Sequence, residues 1–168
     1  LDDIEVLVVD DGSRDRTAEI GNVYERKYPD TFRVISKENG GHGSTINTGI
    51  REAVGRYFKV VDGDDWVDKD GLAELVERLK KCEADYVFTN YYEVNDMTGE
   101  KTPVTFSGIE ADREFPFERI ADKKGISMHA LVIKTSLLKE NGIRLDEHCF
   151  YVDVEYILYP IPYVERVV

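Results

Sequence analysis

The sequence predicts an α/β fold with a mostly parallel central sheet and helices on both faces. Over the first 92 residues, short apolar runs typical of buried strands alternate with segments whose apolar residues recur at helical spacing. Each of the first three predicted strands is followed by a turn that is acidic or rich in glycine. Right-handed crossovers bring such turns to one edge of a parallel sheet. Open α/β sheets bind their ligands at that edge.

The elements of this first part follow from local patterns. Strands are predicted at 4–9, 32–36, 57–61 and 85–92, each rich in β-branched or aromatic residues. The first helix begins near Asp15 and is stopped by Pro29, and the second ends at Gly55. The third carries Leu72, Leu75, Val76 and Leu79 on one face.

The alternation stops after residue 94. Turn signals and prolines predict loop, a short strand and a short helix around 117–121. A strand at 127–134 and a helix at 136–140 follow, and the segment 145–159 is rich in acidic and aromatic residues. We expect one domain.

Composition limits the possible partners. The chain has 168 residues, 42% of them hydrophobic, a net charge of −12 and a pI near 4.7. Such acidity argues against a nucleic acid or an anionic membrane surface as partner.

Cys82 and Cys149 have no C-x-x-C spacing, which favours a reducing compartment. No apolar run approaches the ~18 residues of a membrane span. Leu1 precedes the first strand by only three residues, so we expect a piece truncated at both ends.

The turn after the third strand concentrates acidic groups. Asp62, Asp64 and Asp65 fall within four positions, directly after an apolar strand. Carboxylates held this close repel one another unless a cation shares them, and hard oxygen ligands suit Mg²⁺ or Mn²⁺. The alternative is a capping turn, with Asp68 or Asp70 as N-cap of the next helix.

Several common site motifs are absent from the sequence. It contains no G-x-G-x-x-G, no G-x-x-x-x-G-K-[ST], no G-x-S-x-G and no H-E-x-x-H. Two acidic strand ends and a glycine-rich turn at one edge instead suggest a site for a nucleoside diphosphate.

Four motifs, in this order, resemble family 2 glycosyltransferases. They are Asp10-Asp11-Gly12-Ser13, then Glu38-Asn39-Gly40-Gly41 followed by Asn47-Thr48-Gly49, and then Asp62-Gly63-Asp64-Asp65-Trp66. The dense match covers roughly 4–70, and a looser one extends from Leu145 to Tyr156. The resemblance implies the nucleotide-diphospho-sugar transferase fold, GT-A, and inversion at the sugar carbon. It also divides the domain of 1–168 into a nucleotide-binding half, 1–92, and an acceptor and base half, 93–168.

The resemblance also implies roles for residues on the donor side. Asp10 and Asp11 would contact the base and ribose, with Asp11 accepting a hydrogen bond from a uracil N–H. Asn39 and Gly41 would lie beside the nucleotide.

The acidic turn has its own implied roles. Asp62 would contact ribose or metal, Asp64 would ligate Mg²⁺ or Mn²⁺, and Asp65 would cap the following helix. His42 and His129 either line the site or have surface and structural roles. Trp66 either packs in the core under the metal loop, which is the favoured interpretation, or stacks on an acceptor sugar.

Inversion requires a general base that takes the proton of the acceptor hydroxyl. The resemblance places this base at Asp153, although Val152 stands where relatives carry Glu, and Glu155 is the reserve candidate. Ile46 stands where many relatives carry Arg.

The implied activity is that of an inverting, metal-dependent glycosyltransferase. It would move a sugar from a UDP-linked donor to a saccharide or lipid-linked hydroxyl acceptor in bacterial polysaccharide or glycolipid synthesis. The expected location is the cytoplasm or the inner face of the membrane, with membrane contact only through segments outside this chain. The alternatives are a non-catalytic nucleotide-sugar binding domain and a sugar nucleotidyltransferase on the same fold.

Overall fold

The computed structural model describes residues 3–106, 113–120 and 126–168. In these ranges the strands are β1 (Val6–Asp10), β2 (Phe32–Ser36), β3 (Tyr57–Phe58), β4 (Tyr86–Phe88), β5 (Tyr91–Val94), β6 (Lys101–Val104), β7 (Phe115–Pro116), β8 (Leu131–Lys134) and β9 (Arg166–Val167). The helices are α1 (Thr17–Lys27), α2 (His42–Glu52), α3 (Lys69–Leu79), α4 (Thr135–Glu140) and α5 (Val152–Leu158). The predicted alternation of strands and helices from β1 to β4 is confirmed.

The α/β class is confirmed, but the strand pairing is less parallel than expected. β1 and β2 pair in parallel, with Val6 opposite Phe32 and Asp10 opposite Ser36. A five-stranded sheet has the order β3-β8-β4-β9-β7. Here β8 is antiparallel to both β3 and β4, while β4 and β9 are parallel. The expectation of a mostly parallel sheet is corrected because a strand from the second half lies between two strands of the first.

The strand predicted over 85–92 is divided between two sheets. β4 belongs to the five-stranded sheet, whereas β5 forms an antiparallel hairpin with β6. The break falls at Thr89 and Asn90, and Asn is a residue type that is depleted in strands. The Thr89 amide still donates to the carbonyl of Ala130, and after Asn90 the chain pairs with β6 instead.

The strand predicted over 127–134 begins later. A 3₁₀ turn over Met128–Ala130 precedes β8, and the Ser127 hydroxyl accepts a hydrogen bond from the His129 amide at 3.3 Å. This turn removes His129 from the strand. A 3₁₀ turn at Phe117–Arg119 confirms the short helix, whose expected last residue lies outside the described ranges.

The core joins the two halves of the chain. Tyr86, Leu131, Ile133, Leu138 and Tyr156 are fully buried in one cluster. Each buried side chain of this size stabilises the fold by about 1.5–3 kcal/mol. Ile46 belongs to the same cluster and is 4% exposed, so the position where the resemblance implies Arg lies on the core face of α2.

Helix α2 contacts the segment 145–148 at close range. Asn47 Nδ2 donates to the Leu145 carbonyl at 2.9 Å, and the Leu145 amide donates back to Asn47 Oδ1 at 2.9 Å. A Cβ added at Gly43 would lie 2.0 Å from the Asp146 carbonyl oxygen. Only glycine permits this approach, because real Cβ atoms do not come so close to backbone.

Gly43→Ala tests this contact. Alanine favours a helix by up to about 1 kcal/mol over glycine, but the backbone clash should outweigh that gain and lower the free energy of unfolding by about 1–3 kcal/mol. Urea unfolding measures the change. Gly71→Ala in α3 is the matched control, since the nearest atom to its Cβ is a side-chain oxygen at 3.3 Å. A Gly43→Ala variant as stable as the parent would contradict the packing described.

Candidate active site

The end of β1 is shaped by Asp10. Its side chain is 5% exposed, and Oδ1 accepts a hydrogen bond from the Ser13 amide at 3.1 Å. This is a local turn of the kind that Asp forms with the backbone shortly after it. The structure therefore gives Asp10 a role in the turn, and its predicted contact with the donor stays a prediction.

Asp11 ties the glycine-rich turn to the end of β1. Its carboxylate accepts hydrogen bonds from Lys37 Nζ at 2.6 Å, the Gly40 amide at 3.0 Å and the Gly41 amide at 2.8 Å. Asn39 Nδ2 donates to the Asp11 carbonyl at 2.9 Å. Burial alone would raise the pKa of Asp11, but the bonds from Lys37 and the two glycine amides together hold it below its usual value. The predicted hydrogen bond from Asp11 to a uracil stays a prediction.

Gly41 needs its glycine conformation. Its φ is +83°, and it directly precedes α2, so the chain turns sharply into the helix that begins at His42. The left-handed region is open to glycine at little cost.

The acidic turn after β3 contacts two histidines. His42 Nε2 lies 3.2 Å from Asp62 Oδ1, and His129 Nδ1 lies 3.0 Å from Asp65 Oδ2. The hydrogen bond to Asp62 raises the pKa of His42 against the effect of burial, and the charges of Asp62 and Asp153 raise it further. The same bond to His42 lowers the pKa of Asp62 against the effect of its burial. With its pKa raised, His42 balances part of the negative charge on the turn when it is protonated.

Lys59 fixes the segment that carries His129. Its Nζ donates to the His129 carbonyl at 2.6 Å. Burial lowers the pKa of Lys59 to about 8, although the charge of Asp65 acts in the opposite direction.

One group of possible metal ligands lies in this turn. Oxygen atoms of Asp62 and Asp65 and a ring nitrogen of His129 lie within 4.8 Å of one another. Asp64 is exposed and is not part of this group. The expected capping role of Asp65 is wrong, because α3 begins at Lys69 and Asp68 Oδ1 accepts from the Gly71 amide at 2.8 Å.

A cavity of about 210 Å³ brings distant parts of the chain together. It is lined by His42, Asp62, Met128, His129, Cys149, Phe150, Tyr151, Val152 and Asp153. Asp62 follows β3, whereas Asp153 lies in the first turn of α5. The acidic turn and the predicted base thus meet in one cavity, and the glycine-rich turn reaches it through His42.

The neighbours of Asp153 explain its sequence context. Val152 is 1% exposed and belongs to the core cluster, so an apolar side chain fits the position where the resemblance implies Glu. Glu155, the reserve base, accepts a hydrogen bond from the Asp146 amide at 2.8 Å. Glu155 therefore holds the preceding loop, while Asp153 lines the cavity.

Sequence reasoning left both histidines undecided and misplaced one aromatic residue. His42 and His129 line the cavity, and the signal for His42 was its position directly after Gly40-Gly41. No comparable signal marks His129, because the 3₁₀ turn that orients it was read as strand. Trp66 is 62% exposed, so the expectation that it packs in the core is wrong.

The fold and the site together describe an α/β domain whose acidic turn and late aspartate share one cavity. The chain belongs to the family described as Glycosyl transferase family 2, whose profile matches residues 1–142. It is 40% identical over 92 residues to the uncharacterized glycosyltransferase EpsJ of Bacillus subtilis, which covers 55% of this chain and 26% of that protein. It is 30% identical over 157 residues to the minor teichoic acid biosynthesis protein GgaB of the same species, covering 89% of this chain and 16% of that protein.

A solved structure confirms the expected GT-A-type fold. Residues 1–349 of Staphylococcus aureus TarS align with a TM-score of 0.69 at 22% identity, covering 99% of this chain and 49% of that one. TarS has also been solved with UDP-GlcNAc, at a TM-score of 0.63 and 18% identity. The chain thus spans between 16% and 49% of the length of these proteins. Among the described residues, no helix has the length and apolar character needed to cross a bilayer.

Asp11→Asn tests the link between β1 and the glycine-rich turn. An amide would turn a donor toward Lys37 or the glycine amides, so we expect a loss of about 1–2 kcal/mol of unfolding free energy at pH 7. Because the pKa of Asp11 is lowered in the folded state, the difference from the parent should shrink as the pH falls below about 4. Urea unfolding between pH 7 and pH 3 measures it.

Asp96→Asn, in the exposed turn of the β5–β6 hairpin, is the control and should change stability by less than about 0.5 kcal/mol at pH 7. An Asp11→Asn difference that grew on acidification would contradict the assignment.

Proposed function

We propose that this chain is the catalytic domain of an inverting, metal-dependent glycosyltransferase that moves a sugar from a UDP-linked donor to a hydroxyl acceptor. The observation that carries the proposal is the cavity shared by Asp62 and Asp153. The UDP-GlcNAc complex of TarS supports a UDP-linked donor, and the name of GgaB supports a role in bacterial cell-surface polymer synthesis.

The size of the cavity suggests which part of a nucleotide-sugar donor would lie inside it. Pockets that enclose whole ligands usually measure about 300–1,000 Å³, whereas this cavity measures about 210 Å³. It would take the transferred sugar and the phosphate next to it. The nucleoside would lie outside, along the turns that carry Asp10, Asp11, Asn39 and Gly41.

The donor set of the acidic turn fits a divalent cation. Asp62 and Asp65 offer carboxylate oxygens within 4.8 Å of a His129 ring nitrogen, and carboxylates are the ligands that Mg²⁺ and Mn²⁺ prefer. Asp64 lies on the same exposed turn and is proposed as a ligand together with Asp62. When bound, the cation would supply positive charge that stabilises the departing nucleoside diphosphate.

Asp153 is proposed as the general base. An inverting transfer needs a group that removes the acceptor proton on the face opposite the leaving group. Asp153 and Asp62 come from different elements and line the same cavity. Asp153 can therefore take the proton of the acceptor hydroxyl while Asp62 contacts the cation on the donor side. His42, bonded to Asp62 through Nε2, would hold that carboxylate in place.

Asp62→Ala and Asp64→Ala test the cation site. In the presence of UDP, each should abolish the rise in melting temperature that Mn²⁺ produces in the parent. That rise should be about 5–10 °C at a hundredfold excess of Mn²⁺ over its Kd. Differential scanning calorimetry measures it without any need for turnover.

Asp70→Ala, an exposed acid in the first turn of α3, is the matched control and should keep the full shift. A full Mn²⁺ shift in Asp64→Ala would remove Asp64 from the site. Loss of the shift in His129→Ala and Asp65→Ala alone would assign the cation to those residues.

Asp153→Asn tests the base. We expect UDP release from UDP-GlcNAc, with water or an added sugar as acceptor, to fall about 10²–10⁴-fold in kcat. Affinity for UDP should stay within twofold of the parent, because Asp153 is assigned to the acceptor.

Glu155→Gln is the control and should retain much more activity. The reverse order of the two variants would make Glu155 the base. A parent that binds UDP-GlcNAc but never releases UDP would instead indicate a non-catalytic binding domain.

A further inference from the structure

We propose that Phe150 and Tyr151 form an aromatic platform that binds the ring of a neutral sugar, so that the acceptor is an uncharged saccharide. The inference rests on the proposed function, because it assigns the acceptor side of the same cavity. Both residues line the cavity and directly precede the turn of α5 that carries Asp153.

The two rings are unusually exposed for aromatic side chains. Phe150 is 90% exposed and Tyr151 is 82% exposed. Adjacent exposed apolar side chains at a cavity mark binding surfaces more often than isolated ones do. These rings are therefore free to contact a ligand that enters the cavity.

The loop that carries the rings is fixed at several points. Its start is bonded to α2 through Asn47 and Leu145. The His148 amide donates to the Gly40 carbonyl at 2.8 Å, and the Asp146 amide donates to Glu155 at 2.8 Å. The rings thus project from an anchored segment rather than from a free one.

The backbone near the rings is held in costly conformations. His148 has a φ of 58° and Tyr151 a φ of 66°, in the left-handed region. Such conformations cost on the order of 1 kcal/mol or more in residues other than glycine and persist only where the surroundings impose them. A surface ordered before binding loses less entropy when a ligand arrives.

The charged and polar residues that line the rest of the cavity indicate what kind of ligand can bind there. Asp62, Asp153, His42 and His129 surround the same space, so a purely apolar partner would remove charged groups from water without compensation. Because Asp62 is assigned to the cation, an anionic acceptor would meet the carboxylate of Asp153, which disfavours it. A sugar ring suits both the aromatic and the charged residues of the cavity. Its C–H face can pack on the rings of Phe150 and Tyr151, and its hydroxyls can form hydrogen bonds with the carboxylate and imidazole groups.

The test measures sugar binding to the whole chain loaded with UDP and Mn²⁺. Cellobiose and chitobiose are the neutral probes and glycerol 3-phosphate is the anionic probe, each followed by saturation-transfer NMR. We expect the neutral sugars to bind through their ring C–H protons. Phe150→Ala and Tyr151→Ala should each weaken that binding about 2- to 12-fold, the range for one aromatic contact.

Conservative substitutions, and a control substitution outside the cavity, distinguish the loss of ring stacking from a general loss of folding. Phe150→Tyr and Tyr151→Phe should retain sugar binding, and every variant should keep the parent's melting temperature and UDP affinity. Tyr92→Ala is the matched control, since Tyr92 is 61% exposed in the hairpin and does not line the cavity.

The outcomes distinguish this inference from the proposed function. Three results would overturn the aromatic platform and leave the proposed function standing. They are unchanged sugar affinity in both alanine variants, failure of both neutral sugars to bind, and a preference for glycerol 3-phosphate. A parent that does not bind UDP would overturn the proposed function and the acceptor assignment with it.

Discussion

The site depends on one contact between distant parts of the chain. Asn47 of α2 and the backbone of Leu145, 98 residues apart, exchange two hydrogen bonds at 2.9 Å. The close approach at Gly43 and the bond from His148 to Gly40 extend this junction. Together with the core cluster that contains Ile46 and Val152, this junction fixes the glycine-rich turn relative to the loop before Asp153. The junction therefore creates the cavity in which the two meet.

Charge within the site is balanced locally although the chain is strongly acidic. Lys37 neutralises Asp11, and the two histidines contact the acidic turn from opposite parts of the sequence. These contacts explain how a protein with a net charge of −12 keeps several carboxylates close together. A bound cation would meet the same need, since hard oxygen ligands and an imidazole are already gathered there.

Local periodicity was sufficient to predict the first half of the fold. Strand and helix patterns located β1 to β4. The acidic turn does lie near the glycine-rich one, through the contact of His42 with Asp62, but β3 belongs to a different sheet from β1 and β2, so the predicted parallel sheet is not what brings the turns together. The insertion of β8 between β3 and β4 depends on non-local pairing, which no window of sequence records. The 3₁₀ turn that removes His129 from β8 was hidden in a run that reads as strand. The resemblance implied a capping role for Asp65, whereas the capping turn considered as the alternative already included Asp68, which the observed start of α3 selects.

A crystal structure with UDP and Mn²⁺ bound would test the central claim most directly, namely that donor and base share one cavity. We expect the diphosphate at the acidic turn, Mn²⁺ bonded to Asp62 and its neighbours, and Asp153 facing the space beyond the terminal phosphate. The uracil should lie along the turns at 10–13 and 39–41. A nucleotide bound elsewhere, or a diphosphate separated from Asp153 by the body of the protein, would contradict the claim.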